Sequence, residues 1–255
     1  MKAWMPGFRL ALLVALGLGC STGRASTLEP NLVSLRSSGS ESSTFFRLQN
    51  RTSKPTAVEI TINEHRKDVD GNTVAGPAAD DDFIVFPAQL VMVPGDEASV
   101  QVRWIGEAAL PAERAYTLVT REVAVPSAVP LPEVTSGFRI GVTVLMNYEA
   151  RVYVTPAGAR PRLVVKSVAD AVAEPPALEV VLANEGTAHQ VLVDEYLLLA
   201  PSAPDGSPLR QQAVRVALRD LTGTRAHLLA GERRRLRIPR PASLPVGRVH
   251  VLLAQ

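Results

Sequence analysis

Ser43-Thr44-Phe45-Phe46-Arg47-Leu48-Gln49-Asn50-Arg51-Thr52-Ser53-Lys54-Pro55-Thr56-Ala57-Val58-Glu59-Ile60-Thr61-Ile62 is two short apolar segments with a turn between them. The flanks are rich in aromatic and β-branched residues, the composition of strands. The middle is punctuated by Asn, Ser and Pro: Asn bonds its own backbone and Pro presets φ. Outward from this stretch the same grammar continues, with Asp70-Gly71-Asn72 and Pro94-Gly95-Asp96 as further turns. It predicts strands over 31–36, 43–49, 56–65, 82–86, 90–93, 98–104, 116–123 and 138–154, with no convincing run of helical period. A second series is expected over 162–168, 177–182, 190–199, 213–217, 233–238 and 248–253. Leu182-Ala183-Asn184-Glu185-Gly186-Thr187 echoes Leu48-Gln49-Asn50-Arg51-Thr52, and Leu229-Ala230-Gly231-Glu232 echoes Val93-Pro94-Gly95-Asp96. Short strands at this spacing predict an all-β protein of two immunoglobulin-like β-sandwich domains in tandem, set at an angle, covering 26–155 and 156–255.

Residues 1–25 read as a signal peptide. Lys2 and Arg9 precede an uncharged run from Leu10 to Gly19 that is too short for a membrane span. Gly23-Arg24-Ala25 supplies small residues for cleavage before Ser26, and lipid attachment at Cys20 is the alternative. The expected location is the periplasm. Cys20 is the one cysteine in 255 residues, so the remaining chain has neither a disulfide framework nor a thiolate metal site. The net charge of +2, with arginines spread out or gathered near the C-terminus, argues against nucleic acid as a partner.

The segment joining the two series is unusual. Pro126-Ser127-Ala128-Val129-Pro130-Leu131-Pro132 cannot pair inside a sheet and leads into the long strand expected over 138–154. There Ile140, Val142, Val144, Met146 and Tyr148 share one face, an unbroken apolar row. Such a row fits either the strand's own core or a surface offered to a partner.

Other chemistries find no support. His65, His189, His227 and His250 lack ligand spacing and read as surface or strand residues, so no metal or other cofactor is expected. Asp80-Asp81-Asp82 reads as a solvated turn, lacking the Gly and Glu of a calcium loop. No nucleophile elbow, phosphate loop or dinucleotide fingerprint is present, so no enzymatic activity is expected. Arg233, Arg235 and Arg237 alternate with Arg234, Leu236 and Ile238 and read as a solvated sheet face.

The residues resemble the periplasmic chaperones of the chaperone/usher pilus pathway over nearly the whole expected mature chain. Phe45-Phe46-Arg47-Leu48-Gln49-Asn50 is similar to the family's second strand. Phe83 to Pro87, followed by Leu90-Val91-Met92-Val93-Pro94-Gly95, resembles its F-x-x-x-P and L-x-P-G signature. Arg121-Glu122-Val123 stands where the family has Arg-Glu-Ile-Pro, and Glu149-Ala150-Arg151-Val152-Tyr153-Val154-Thr155-Pro156 resembles the close of its first domain. The resemblance implies a chaperone that binds pilus or fimbrial subunits by lending them a β-strand, here Ile140, Val142, Val144 and Met146, and delivers them to an outer-membrane usher. It also implies two cations that hold the subunit's C-terminal carboxylate. Arg151 matches one; Ser34 stands at the family's usual Arg, leaving Arg36 and Arg121 as candidates for the other. Thr155 replaces an Arg of the family's interdomain ion network. An exposed donor strand would invite self-association without a subunit, unless the 126–132 loop caps it. The alternative function is an extracellular tandem-sandwich adhesion or carbohydrate-binding module, which the sparse aromatics disfavour.

Overall fold

Alternation of apolar and polar side chains, with the apolar set facing inward, shapes nearly every strand. A computed structural model describes residues 26–123, 144–171, 175–223, 227–245 and 247–254. The expected signal peptide, Cys20, the 126–132 loop, Ile140 and Val142 lie outside the described residues.

The first eleven strands are β1 (Thr27–Glu29), β2 (Leu32–Arg36), β3 (Ser43–Gln49), β4 (Thr56–Glu64), β5 (Arg66–Lys67), β6 (Thr73–Val74), β7 (Phe83–Phe86), β8 (Gln89–Met92), β9 (Glu97–Trp104), β10 (Arg114–Val123) and β11 (Asn147–Thr155). They form one sheet of order β1-β3-β9-β7, a second of order β2-β11-β10-β4-β8, and a separate β5-β6 hairpin. Alternate residues of each sheet meet between them: Val58, Ile60 and Ile62 of β4, Val100 and Val102 of β9, and Val152 and Val154 of β11 are buried in one cluster. Phe83, Trp104 and Tyr116 close one end, Phe83 edge to face with each of the others and Trp104 tilted on Tyr116, with ring centroids 4.8 to 5.8 Å apart. Such pairs add to the stabilisation from area burial alone.

The second half holds β12 (Leu163–Ala171), β13 (Ala177–Asn184), β14 (Gln190–Val191), β15 (Tyr196–Pro201), β16 (Val214–Ala217), α1 (Leu218–Thr222), β17 (His227–Leu228), β18 (Arg233–Pro239) and β19 (Val249–Leu253). Sheets of order β12-β13-β18 and β16-β15-β19, with the β14-β17 pair, enclose a second core that includes Leu178, Leu182, Leu197, Leu199 and Ile238. The chain is thus two immunoglobulin-like β-sandwich domains in tandem.

The echo between the halves has a structural basis. Asn50 is buried, and its amide donates to the carbonyls of Lys54 (2.9 Å) and Met92 (3.0 Å) while Oδ1 accepts from the Thr52 amide (3.0 Å). Asn184 repeats this: its amide donates to Ala188 (2.7 Å) and Leu228 (3.0 Å), and Oδ1 accepts from Gly186 and Arg162, both at 3.0 Å. The paired turns match as well. Asp96 accepts the Val93 amide and Glu232 the Leu229 amide, while Gly95 and Gly231 donate to the carbonyls of Asn50 and Asn184. Each asparagine satisfies backbone groups that no strand ladder reaches, which explains its burial at 1% exposure.

Several expectations need correction. The strand expected over 190–199 is broken by a turn in which Glu195 donates to the Leu192 carbonyl (3.2 Å), because Leu192 plugs the core. Val144, Leu145 and Met146 precede β11 instead of belonging to it; at Met146 the amide goes to the Glu122 carboxylate (3.1 Å) rather than to the ladder. The short helix α1 was not foreseen: five residues are too few to show a helical period. His65, read as a surface or strand residue, directly follows β4 and is buried.

Replacing Asn184 by Leu should strand four backbone groups and lower the unfolding free energy by about 3 kcal/mol, read by urea denaturation; an unchanged midpoint would dismiss the corner as a stabilising element.

Candidate functional site: a cationic seam between the two domains

The outward side of β10 and β11 would face water in an isolated sandwich. Here Ala115 and Tyr153 are buried instead, against Leu229 of the second domain. Around this contact the chain gathers polar groups from both halves. The Tyr153 ring stacks on His189 at 4.1 Å, His189 stacks on His227 at 5.1 Å, and the Tyr153 hydroxyl is hydrogen-bonded with His227 Nδ1 at 2.8 Å. Glu113, its side chain 3% exposed, accepts from the His189 amide (2.9 Å), from His189 Nδ1 (2.7 Å) and from the Thr155 hydroxyl (2.8 Å). His189 and His227, read from the sequence as surface or strand residues, therefore form the interdomain contact, and Thr155 acts there through Glu113. Among the described residues no group of three His, Cys, Asp or Glu side chains is placed to hold a metal.

The β5-β6 hairpin reaches across from the first domain. The Arg235 amide donates to the Val69 carbonyl (2.7 Å), and Gly71, at φ +90°, packs directly on the Arg234 guanidinium. A side chain at Gly71 would collide with that guanidinium, and its φ disfavours any L residue. Lys67 of β5 places Nζ 3.5 Å from the His227 carbonyl, and Arg234 donates to the same oxygen at 3.4 Å.

Arg151 lies at mid-strand on β11, in register with Thr117 on β10 and Leu32 on β2, and its guanidinium donates to the Thr117 hydroxyl. Thr117 in turn lies 3.4 Å from His65 Nδ1. The other two predicted anchors are elsewhere. Arg36 registers with Thr155, four positions along β2 from Leu32, and pairs with Glu41 at 3.5 Å. Arg121 is exposed and registers with Asn147, four positions along β10 from Thr117, roughly 13 Å away. The structure does not bring either to Arg151. Val144, Leu145 and Met146 are exposed at 71, 48 and 41%, an apolar segment uncovered on both faces. Its last residue is positioned by buried Glu122, whose carboxylate accepts the Met146 amide (3.1 Å) and the Ser26 hydroxyl (3.1 Å).

No protein-family model matches the chain, and no curated protein does. Solved structures do. The class 5 fimbriae chaperone CfaA superposes with a TM-score of 0.52 at 14% identity, covering 90% of this chain and 92% of that one. A CsuC–CsuE chaperone–tip adhesion subunit complex from the archaic chaperone–usher Csu pili of Acinetobacter baumannii gives 0.51 at 14% identity, over 90% and 97%. The Salmonella enterica SafA pilin–SafB chaperone complex gives 0.50 at 13%, over 85% of each chain. The protein has the fold of the fimbrial chaperones.

Within this fold, burial dominates the electrostatics of the seam. Burial, then the charges of Arg151 and Lys67, lower His65 to about 3; burial, then His189, Lys67 and Arg151, lower His227 to about 4. Burial pushes the Tyr153 hydroxyl up to about 12, so it stays protonated beside a neutral imidazole. Burial also opposes ionisation of Glu113, yet its hydrogen bonds from His189 and Thr155 hold it below the usual carboxylate range. Burial lowers Lys67, Arg151 and Arg234. Lys67 and Arg234 were not singled out from the sequence. The alternation that sets Arg234 beside Leu236 and Ile238 was the available signal, since that is the inward face of β18.

An unfolded imidazole takes its proton near 6.5, later than which on acidification these two hold out. Their contribution to stability is complete above pH 6.5 and is lost as pH falls through about 4 for His227 and about 3 for His65. The melting temperature should fall between pH 6.5 and 4, and His227→Gln should flatten that part of the curve; a wild-type profile already flat there would refute a neutral His227.

Proposed function

We propose that this protein is a non-enzymatic periplasmic chaperone that binds pilus or fimbrial subunits by donor-strand complementation and delivers them to an outer-membrane usher. The observation that carries the reading is the juxtaposition on β11 and its approach of an uncovered apolar segment, Val144–Met146, with a half-buried guanidinium, Arg151, that has no carboxylate partner among the described residues. The fold shared with CfaA and CsuC supports the class. An incomplete sandwich needs a strand to satisfy its open edges and side chains to fill its pockets. Val144 and Met146, with Ile140 and Val142 before them, supply side chains of one parity for that task. Glu122 tethers the end of the segment to the first sandwich, and Arg151 takes the subunit's C-terminal carboxylate, which sets the register of the added strand. Without a subunit the same segment would pair with a second copy of the chain.

A tagged wild-type protein should recover a small β-rich secreted polypeptide from the periplasm of its native host, identified by mass. Val144→Asp should lose it by placing a charge in an apolar pocket, and Arg151→Ala by leaving the carboxylate unheld, each by about tenfold or more. Recovery of no such polypeptide by the wild type, or full retention by both variants, would overturn the reading.

A further inference from the structure

A cluster beside the expected cleavage point lacks a cation. Ser26 is 6% exposed, and its hydroxyl donates to Glu122 Oε1 at 3.1 Å. Glu122, near the end of β10, is 7% exposed, and its other oxygen accepts the Met146 amide at 3.1 Å. Both donors are neutral. Among the described residues no Lys, Arg or His comes within ion-pair distance of this carboxylate. Beside it the Tyr148 hydroxyl is buried without a well-formed hydrogen bond, although the amide and hydroxyl of Ser26 both approach it. Burial, then the charge of Glu122, hold that hydroxyl above its ordinary range, so it stays a neutral phenol. The cavity that Ser26, Glu122 and Tyr148 share with Leu48, Val58 and Met92 has no room for a water molecule, so the partners must come from the chain itself. A buried carboxylate held by neutral donors alone, beside an orphaned hydroxyl, is costly unless a cation completes the group. The Ser26 nitrogen can become that cation, and the covalent reach of serine keeps it within about 7 Å of Glu122 Oε1.

We propose that cleavage before Ser26 completes this cluster: it frees an α-ammonium that pairs with Glu122 and the Tyr148 hydroxyl and thereby fixes the root of the Val144–Met146 segment. The co-reactant is water, and the catalyst is a peptidase of the export route. Hydrolysis places the oxygen of one water on the Ala25 carbonyl carbon, which becomes a carboxylate. Both protons of that water pass to the Ser26 nitrogen, which changes from an amide with one proton to an ammonium with three. Three donors suffice for Glu122 and Tyr148 together. Ser26 leads into β1 of one sheet, whereas Glu122 belongs to β10 of the other, so the pair ties the two sheets of the first sandwich at one end. Glu122 then holds the new chain end on one oxygen and the Met146 amide on the other. The segment is rooted firmly in the processed chain alone. Processing at Cys20 instead would leave Ser26 an amide and Glu122 without its cation. That the rooted segment is a donor strand rests on the chaperone reading; the ion pair does not.

The test compares three N-termini, prepared by cutting a fusion: a chain starting at Ser26, the same chain acetylated on its α-amine, and a chain starting at Ala25. Acetylation removes the charge, and the extra alanine moves it by about 3.8 Å. The free Ser26 chain should have an unfolding equilibrium constant, measured in urea, about tenfold or more below that of the other two. Hydrogen exchange at the Met146 amide, followed by NMR, should be about tenfold slower in it. Glu122→Gln should shrink both differences to about twofold or less. If that variant fails to fold, the three wild-type N-termini still decide, since they involve no substitution. Equal stability of the free and acetylated chains, or a difference that survives Glu122→Gln, overturns the ion pair. A stability difference with no change at Met146 overturns the control of the segment. The intact mass of the protein exported by its native host should fit a start at Ser26, and any other start removes the inference. Subunit capture by all three forms with equal exchange at Met146 would overturn this inference and leave the chaperone reading standing; the expected exchange pattern with no subunit captured would do the reverse.

Discussion

The burial of Tyr153 against the second domain is the contact on which the rest of the molecule depends. Strand β11 is asked to face two cores at once: Val152 and Val154 fill its own sandwich, while Tyr153 between them points out and is only 2% exposed. A sheet face that would otherwise be solvated becomes an interface, and every polar group beside it must find a partner there. The stacked imidazoles, the Glu113 carboxylate and the Thr155 hydroxyl answer that demand for one flank, and the β5-β6 hairpin answers it for the other.

The two flanks differ in electrostatic character, and that difference separates structure from function. On the Glu113 side, donors and acceptors are matched, with Glu113 taking two bonds from His189 and one from Thr155. On the Lys67 side, burial first and then the charges of Arg151 and Lys67 among others depress the protonation of His65 and His227. A satisfied network rigidifies an interface; an unsatisfied cluster of like charge weakens it until a ligand of opposite sign arrives.

The internal echo illustrates how a physical need can outlast sequence similarity. The solved fimbrial chaperones in this fold share 13 to 14% of residues with the chain in the three comparisons described. Within the chain, Asn50 and Asn184 nevertheless solve the same problem with the same bonds, each amide serving two carbonyls of a strand-to-turn corner. Asparagine fits because it carries two donors and an acceptor on a short side chain. No aliphatic residue can replace that pattern, so the corner is legible in both halves of the sequence.

What the sequence determined by itself follows from local rules. Apolar alternation and turn chemistry reveal the strand at β3, the one at β4 and the turn between them, because side-chain period and backbone preference are properties of consecutive residues. The two-sandwich architecture follows from their number and spacing, and Arg151 was identified through its place in a short motif. The tertiary structure alone decided what surrounds Arg151. Thr117, which accepts from it, and His65 beyond are separated from it by 34 and 86 positions along the chain, and nothing local marks them as its surroundings. His189 and His227 gave no spacing signal for the same reason: their partner, Tyr153, lies in the other domain. Charge and burial at an interface depend on which distant surfaces meet, and that is settled by packing two cores together, which no single stretch of residues encodes.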